Sequence, residues 1–127
     1  MKWYEDPIYH KMCEKAWEIQ ELRPQVMISS VRHYYKGVYQ YEVDSEGVFR
    51  YWNEHYFIWL PRQDQLQAML AGHFIDGKPR KLVKALWDWI AETAPKPDDS
   101  REQLELAFVY KELYHKVWNG EDWVKEL

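Results

Sequence analysis

A single cysteine stands in 127 residues, so no disulfide can form within the chain. Together with the lack of a signal-peptide pattern, that scarcity predicts a reducing, cytoplasmic setting. No apolar run approaches the roughly 20 residues that a membrane-spanning helix needs, and no membrane role is expected. Glycine is scarce at five, and none of the five forms a P-loop or a dinucleotide-binding pattern. Ser29, Ser30, Ser45 and Ser100 lie in no nucleophile elbow. Positive charge is not in surplus either. The net charge of -4 provides no global field for nucleic acid. Residues 1–91 balance 12 basic against 12 acidic side chains, whereas 92–127 hold 5 against 9. Apolar residues interrupt that acidic end regularly, which predicts a solvated helical surface.

What is present in excess is aromatic. Phe, Trp and Tyr make up 17% of the chain, with eight Trp and ten Tyr. A chain of this length has a limited interior, so some rings are expected at the surface, where rings make contacts. The hydrophobic fraction of 46% suffices for a core, and the length predicts one globular domain over residues 1–127.

Asp6-Pro7 is a helix start, a capping carboxylate followed by proline at the first helical position. Ile8, Met12, Ala16 and Ile19 then recur at helical spacing beside Cys13, up to a stop at Pro24. From Val26 to Leu60 the period becomes two. Val31, His33, Tyr35, Tyr39, Tyr41 and Val43 are expected on one face, and Arg32, Lys36, Gln40, Glu42 and Asp44 on the other. A hairpin at Lys36-Gly37 and turns at Ser45-Glu46-Gly47 and Asn53-Glu54 give three or four strands. Pro61 is expected in the first turn of a helix carrying Leu66, Met69 and Leu70, with a stop at Gly72. After a break at Gly77–Pro79, Leu82, Val83, Leu86 and Ile90 define another helix. Residues 94–99 read as a linker. Ser100 with Gln103 forms a capping box for a last helix burying Leu106, Val109, Leu113 and Val117. Asn119-Gly120 marks a turn. The predicted fold is α+β: an N-terminal helix, an antiparallel meander, then three helices packed on one face of the sheet.

Two candidate sites stand out. Arg62, Gln63, Asp64 and Gln65 are either the polar start of a helix or a partner-reading edge on a rigid scaffold. Lys78, Arg80, Lys81 and Lys84 open a helix, where cations oppose the macrodipole, and form either an anion or nucleic-acid patch or a solvated loop. His10 and Cys13 lie one helical turn apart, half of a metal site, but no second pair has suitable spacing. No catalytic residue, metal or cofactor is expected.

Three stretches, "MCEKAWEIQELRP" (Met12–Pro24), "IWLPRQDQLQAML" (Ile58–Leu70) and "QLELAFVYKELYHKVWNGEDWV" (Gln103–Val124), resemble a small conserved protein family encoded by phages and prophages of Firmicutes bacteria. The resemblance covers roughly a third to a half of the chain, leaving out the strands and the loop "HFIDGKPRK". It implies a bacterial cytoplasmic setting and no assigned activity, and it carries over no catalytic residue. The expected function is therefore a non-enzymatic module that binds a protein partner or self-associates. The rivals are a nucleic-acid accessory protein, using the basic cluster and sheet aromatics, and a small enzyme centred on Asp64 or a histidine.

Overall fold

The structure, a computed structural model, describes residues 2–71, 79–93 and 99–126, and of 79–83 and 93 only the backbone. The order of elements is an N-terminal helical segment, a four-stranded antiparallel meander, then helices, an α+β fold. The chain groups into two compact units, Met1–Arg62 and Gln63–Leu127.

In the first unit, α1 (Pro7–Glu14) starts as its sequence dictates, with the Asp6 carboxylate accepting from the Ile8 N–H at 3.0 Å. Its buried stripe is Tyr9, His10, Met12 and Cys13, and the expected Ile8 is 52% exposed. The stripe is turned by one residue because Tyr9 can bury its ring and still donate its hydroxyl to the Pro61 carbonyl at 2.8 Å. The expected single helix is broken before α2 (Trp17–Gln20). The Cys13 carbonyl accepts there from the Ala16 N–H and from the Gln20 side-chain amide.

The sheet runs β1 (Arg32–Lys36), β2 (Tyr39–Val43), β3 (Phe49–Trp52) and β4 (Phe57–Leu60), in that spatial order. Gly37, at φ +59°, opens a two-residue turn that pairs Lys36 with Tyr39. A two-residue turn inverts the parity of the alternation, because directly opposed residues share a face. Tyr34 therefore lies with Tyr41, and Tyr35 with Gln40. This corrects the expected grouping of His33 and Tyr35 with Tyr41. Across the four strands, Tyr34, Tyr41, Tyr51 and Ile58 form an inner row, while His33, Glu42, Arg50 and Trp59 form an outer one.

The inner face is covered within this unit by the single turn Trp3–Glu5 and by α1. Tyr4 stacks on Phe49 at 4.9 Å and His10 on Tyr51 at 4.2 Å. Side chains build the turns between strands. Asp44 accepts from the backbone N–H groups of Met27, Glu46 and Val48, and Asn53 from those of His55 and Tyr56.

The second unit holds α3 (Gln63–Leu70), α4 (Pro79–Thr93), α5 (Arg101–Tyr114) and a hairpin of β5 (Lys116–Trp118) and β6 (Trp123–Lys125). Leu66 and Leu70 of α3, Leu86 of α4 and Phe108 and Val109 of α5 enclose a cavity of about 10 Å³. The Ser100 hydroxyl caps α5 by accepting from the Gln103 N–H at 3.1 Å. The acidic end is not all solvated as expected, for Glu102 and Glu105 are buried. Gln63 donates to Glu102 at 2.9 Å and Gln67 to Glu105 at 2.7 Å, and these bonds make the burial tolerable. The last helix ends at Tyr114, with His115 left-handed at φ 54°, so Val117 lies exposed in a strand. The Asn119 side chain closes the expected turn by accepting from the Glu121 and Asp122 N–H groups. Tyr110 stacks on Trp123 at 4.0 Å. Among the described residues no helix is long and apolar enough to cross a membrane. The expected stop at Gly72 and most of the expected linker lie outside the described residues.

Candidate functional site

The candidate run Arg62–Gln65 is divided by the fold. Arg62 closes the first unit and Gln63, Asp64 and Gln65 open the second. Helix α3 begins at Gln63, two residues later than expected, because Pro61 is buried and its carbonyl accepts the Tyr9 hydroxyl. The Arg62 guanidinium donates through Nη1 to the carbonyls of Glu46 and Gly47, clasping the β2–β3 turn. Gly47 sits at φ +75°, and a β-carbon there would overlap Arg62 Nη1. Gln63 is bonded to the buried Glu102, Gln65 is half-buried and Asp64 is exposed. The arginine and the first glutamine of this run hold structure in place.

Of the basic cluster, Lys78 lies outside the described residues, and Arg80 and Lys81 are described by backbone only. Lys84 is exposed and bonded to Asp88 at 2.7 Å, one helical turn along α4. That contact raises the Lys84 pKa through its hydrogen bond and the carboxylate's charge. Lys84 is thus an ordinary helix-surface cation with its partner in place.

The outer face of the first unit holds a groove of about 330 Å³, bounded on one side by the segment Arg23–Ile28 and on the other by β3 and β4. Its floor follows from the outer row of the sheet. Arg50 donates through Nε to Glu42 at 2.7 Å and through Nη2 as well, and its guanidinium lies 4.1 Å from the Phe57 ring centre. Glu42 also takes His33 Nδ1 at 2.9 Å, so this buried carboxylate balances the Arg50 charge. Trp59, 4% exposed, is fixed at the sheet edge by one side chain. Its backbone N–H donates to Gln20 Oε1 at 2.8 Å, and its carbonyl accepts from Gln20 Nε2 at 2.9 Å. The Gln20 amide thus stands in for a neighbouring strand at that point.

Two polar groups stand out on the residues that line the groove. The Trp59 indole N–H is buried and has no hydrogen-bond partner among the described residues. Arg23 donates one bond to the Gln20 carbonyl at 3.0 Å and makes no ion pair among the described residues. No acidic residue lines the groove, and Val26, Ile28, Val48 and Phe57 give it apolar walls. Its lining residue Ile28 is 83% exposed, and close by in the chain Leu22 is 55% and Met27 47% exposed.

A second cavity in the same unit, about 260 Å³, lies between α1 and the ends of β2 and β3. It gathers His10, Lys11, Glu14, Tyr39 and Tyr51. His10 Nε2 is 2.6 Å from the Tyr4 carbonyl, which can only accept, so the imidazole carries its proton on Nε2. Burial lowers the His10 pKa, against the Tyr4 bond and the Asp6 charge, and Nδ1 is left as a buried acceptor without a partner among the described residues. The Tyr51 hydroxyl donates to Glu14 at 3.2 Å, and burial with the Glu14 charge pushes its ionisation well up. Burial likewise pushes the Cys13 thiol far up, an inert packing group. Among the described residues no three of His, Cys, Asp and Glu converge as metal ligands.

Sequence reasoning did not find the groove. Arg23-Pro24-Gln25 reads as a helix end, and only the folded chain makes it a wall of the groove that Trp59 also lines. The available signal was the alternation of Arg50 with Trp52 and of Phe57 with Trp59, which puts a cation and three rings on one side of adjacent strands. Comparison of the chain with protein-family models, curated proteins and solved structures returns no match.

Proposed function

We propose that the protein is a non-enzymatic module that binds another protein through the outer face of its first unit. The observation that carries this reading is the exposed apolar run Leu22, Met27 and Ile28 beside the groove. Each such side chain gains about 1.5–3 kcal/mol when fully buried, so three of them supply a useful interface centre. A near-neutral charge balance in the first 91 residues favours a protein partner over a polyanion.

The rival readings have less beneath them. The described member of the basic cluster, Lys84, is already paired with Asp88. The His10 cavity offers a carboxylate and a hydrogen-bond acceptor, but its Tyr51 is held protonated, as is the buried Cys13 outside it.

A photo-cross-linking side chain placed at Ile28 of the full chain tests the reading, with one at Lys84 as control. The expected result is a defined protein adduct, or a self-adduct matched by a dimer in sedimentation, formed from position 28 alone. Leu22→Ser with Met27→Ser removes it. Equal labelling from both positions, or a monomer with no adduct, overturns the reading.

A further inference from the structure

We infer that Asn119 is a site of spontaneous covalent modification in the folded protein. Its side-chain amide is lost through attack by the Gly120 backbone nitrogen, which leaves aspartate or isoaspartate in the β5–β6 turn. The site stands apart from the protein-binding surface and does not depend on it. The chain has two asparagines, Asn53 and Asn119, and both build the same turn. Asn53 Oδ1 accepts from the N–H groups of His55 and Tyr56 at 2.9 and 2.8 Å, and Asn119 Oδ1 from those of Glu121 and Asp122 at 2.8 Å each. In each turn the asparagine N–H donates at 3.1 Å to the carbonyl three residues on.

The two turns differ in the residue whose nitrogen can attack. Gly120, at φ +101°, has no side chain to crowd that nitrogen, whereas Glu54, at φ 80°, carries a long one. Asn119 and Gly120 are exposed. Among the described residues neither the Asn119 amide nitrogen nor the Gly120 N–H has a hydrogen bond to hold it back. Asn53 is half-buried, and its amide nitrogen is tied to Glu14 at 3.3 Å.

The reaction starts when the Gly120 amide gives its proton to a solvent base and its nitrogen bonds to Asn119 Cγ. The charge of the tetrahedral intermediate falls on Oδ1. Two N–H groups stand there at 2.8 Å, within the range that stabilises an oxyanion. The Cγ–Nδ2 bond then breaks, Nδ2 takes a proton from water, and ammonia departs to leave a cyclic imide. Water opens the ring at either carbonyl. One product is aspartate, and the other is isoaspartate, with an extra carbon in the backbone. That carbon lengthens the turn that pairs Trp118 with Trp123, and so loosens β6, whose Trp123 stacks on Tyr110 at 4.0 Å.

The full chain is incubated folded, at neutral and at mildly alkaline pH, and in parallel unfolded in urea. Each asparagine peptide is then read by mass spectrometry for conversion of amide to acid. In the folded chain Asn119 is expected to convert at least about tenfold faster than Asn53, which corresponds to a barrier difference of about 1.4 kcal/mol. Its rate should rise with pH, because the attacking nitrogen must lose a proton. Gly120→Ala should slow it. Should that variant not fold, Glu54→Gly, which suits its positive φ, should speed the reaction at Asn53 instead. The converted chain should unfold at lower urea than the fresh one.

Three results overturn the inference. They are an Asn119 that reacts only when the chain is unfolded, equal rates at the two asparagines, and a folded Gly120→Ala chain that converts as fast as the parent. A converted chain with an unchanged urea midpoint overturns the loosening of the hairpin.

Discussion

Arg62 shows how a single side chain can look like a site and turn out to be a clasp. Its charge-assisted bonds to the Glu46 and Gly47 carbonyls tie the end of β4 to the β2–β3 turn. Arg62→Ala is expected to cost about 1.5–3 kcal/mol, the range for hydrogen bonds to a charged group. Gly47→Ala should cost about 1–2 kcal/mol through its left-handed backbone alone, and it also pushes Arg62 off its acceptors. The double variant should therefore lose less than the sum of the singles, because each disrupts the same contact. Urea unfolding of the four proteins checks this. Full additivity would mean that Arg62 does not hold the turn.

Gln20 acts at the scale of an element. The sheet order leaves β4 as an edge, and an uncovered edge is a template for strand addition. The Gln20 amide blocks the middle of that edge by pairing with both backbone groups of Trp59. Gln20→Ala frees them, and a loss of about 1–3 kcal/mol is expected. The variant should also self-associate with rising concentration in sedimentation velocity, and Gln20→Asn, too short to span both groups, should behave similarly. A variant that is destabilised yet strictly monomeric would show that the edge is covered by other means. The break between α1 and α2 belongs to the same device, since it sets Gln20 against Cys13 and β4 together.

For the whole molecule, His10, Asp44 and Glu105 are the described groups that set stability against acid pH. Burial lowers the His10 pKa, so the fold prefers neutral imidazole. That contribution is complete above about pH 6.5 and is lost as pH falls through the lowered folded value. Desolvation pushes the Asp44 carboxyl up, but the bonds from Met27, Val48 and Glu46 and the Arg50 charge outweigh it and leave it lowered. Its contribution is complete above about pH 3.9 and is lost on further acidification. Glu105 runs the other way. Desolvation raises it against Gln67 and Arg101, so its share is complete below about pH 4.3 and is lost as pH rises through the folded value. The His10 loss should thus set in just below pH 6.5, and His10→Gln should remove that part of the urea midpoint's dependence on pH. An early loss unchanged in His10→Gln would assign it elsewhere.

The sequence by itself determined the local features: the Asp6-Pro7 start, the turns at Gly37, Gly47 and Asn53, the Ser100 cap and the α+β order of elements. Each of these is set by residues within a few positions of one another, through backbone preference and short hydrogen bonds. Tertiary structure decided which face each residue joined. One two-residue turn moved Tyr35 away from Tyr41, and one tyrosine hydroxyl turned the buried stripe of α1 away from Ile8. It also made clasps of Arg62 and Gln63, buried two acids of the expected solvated end, and set Arg23 and Trp59 around one groove. Apart from the turn, those outcomes depend on pairings between residues 15 to more than 50 positions apart, which alternation and helical spacing do not encode.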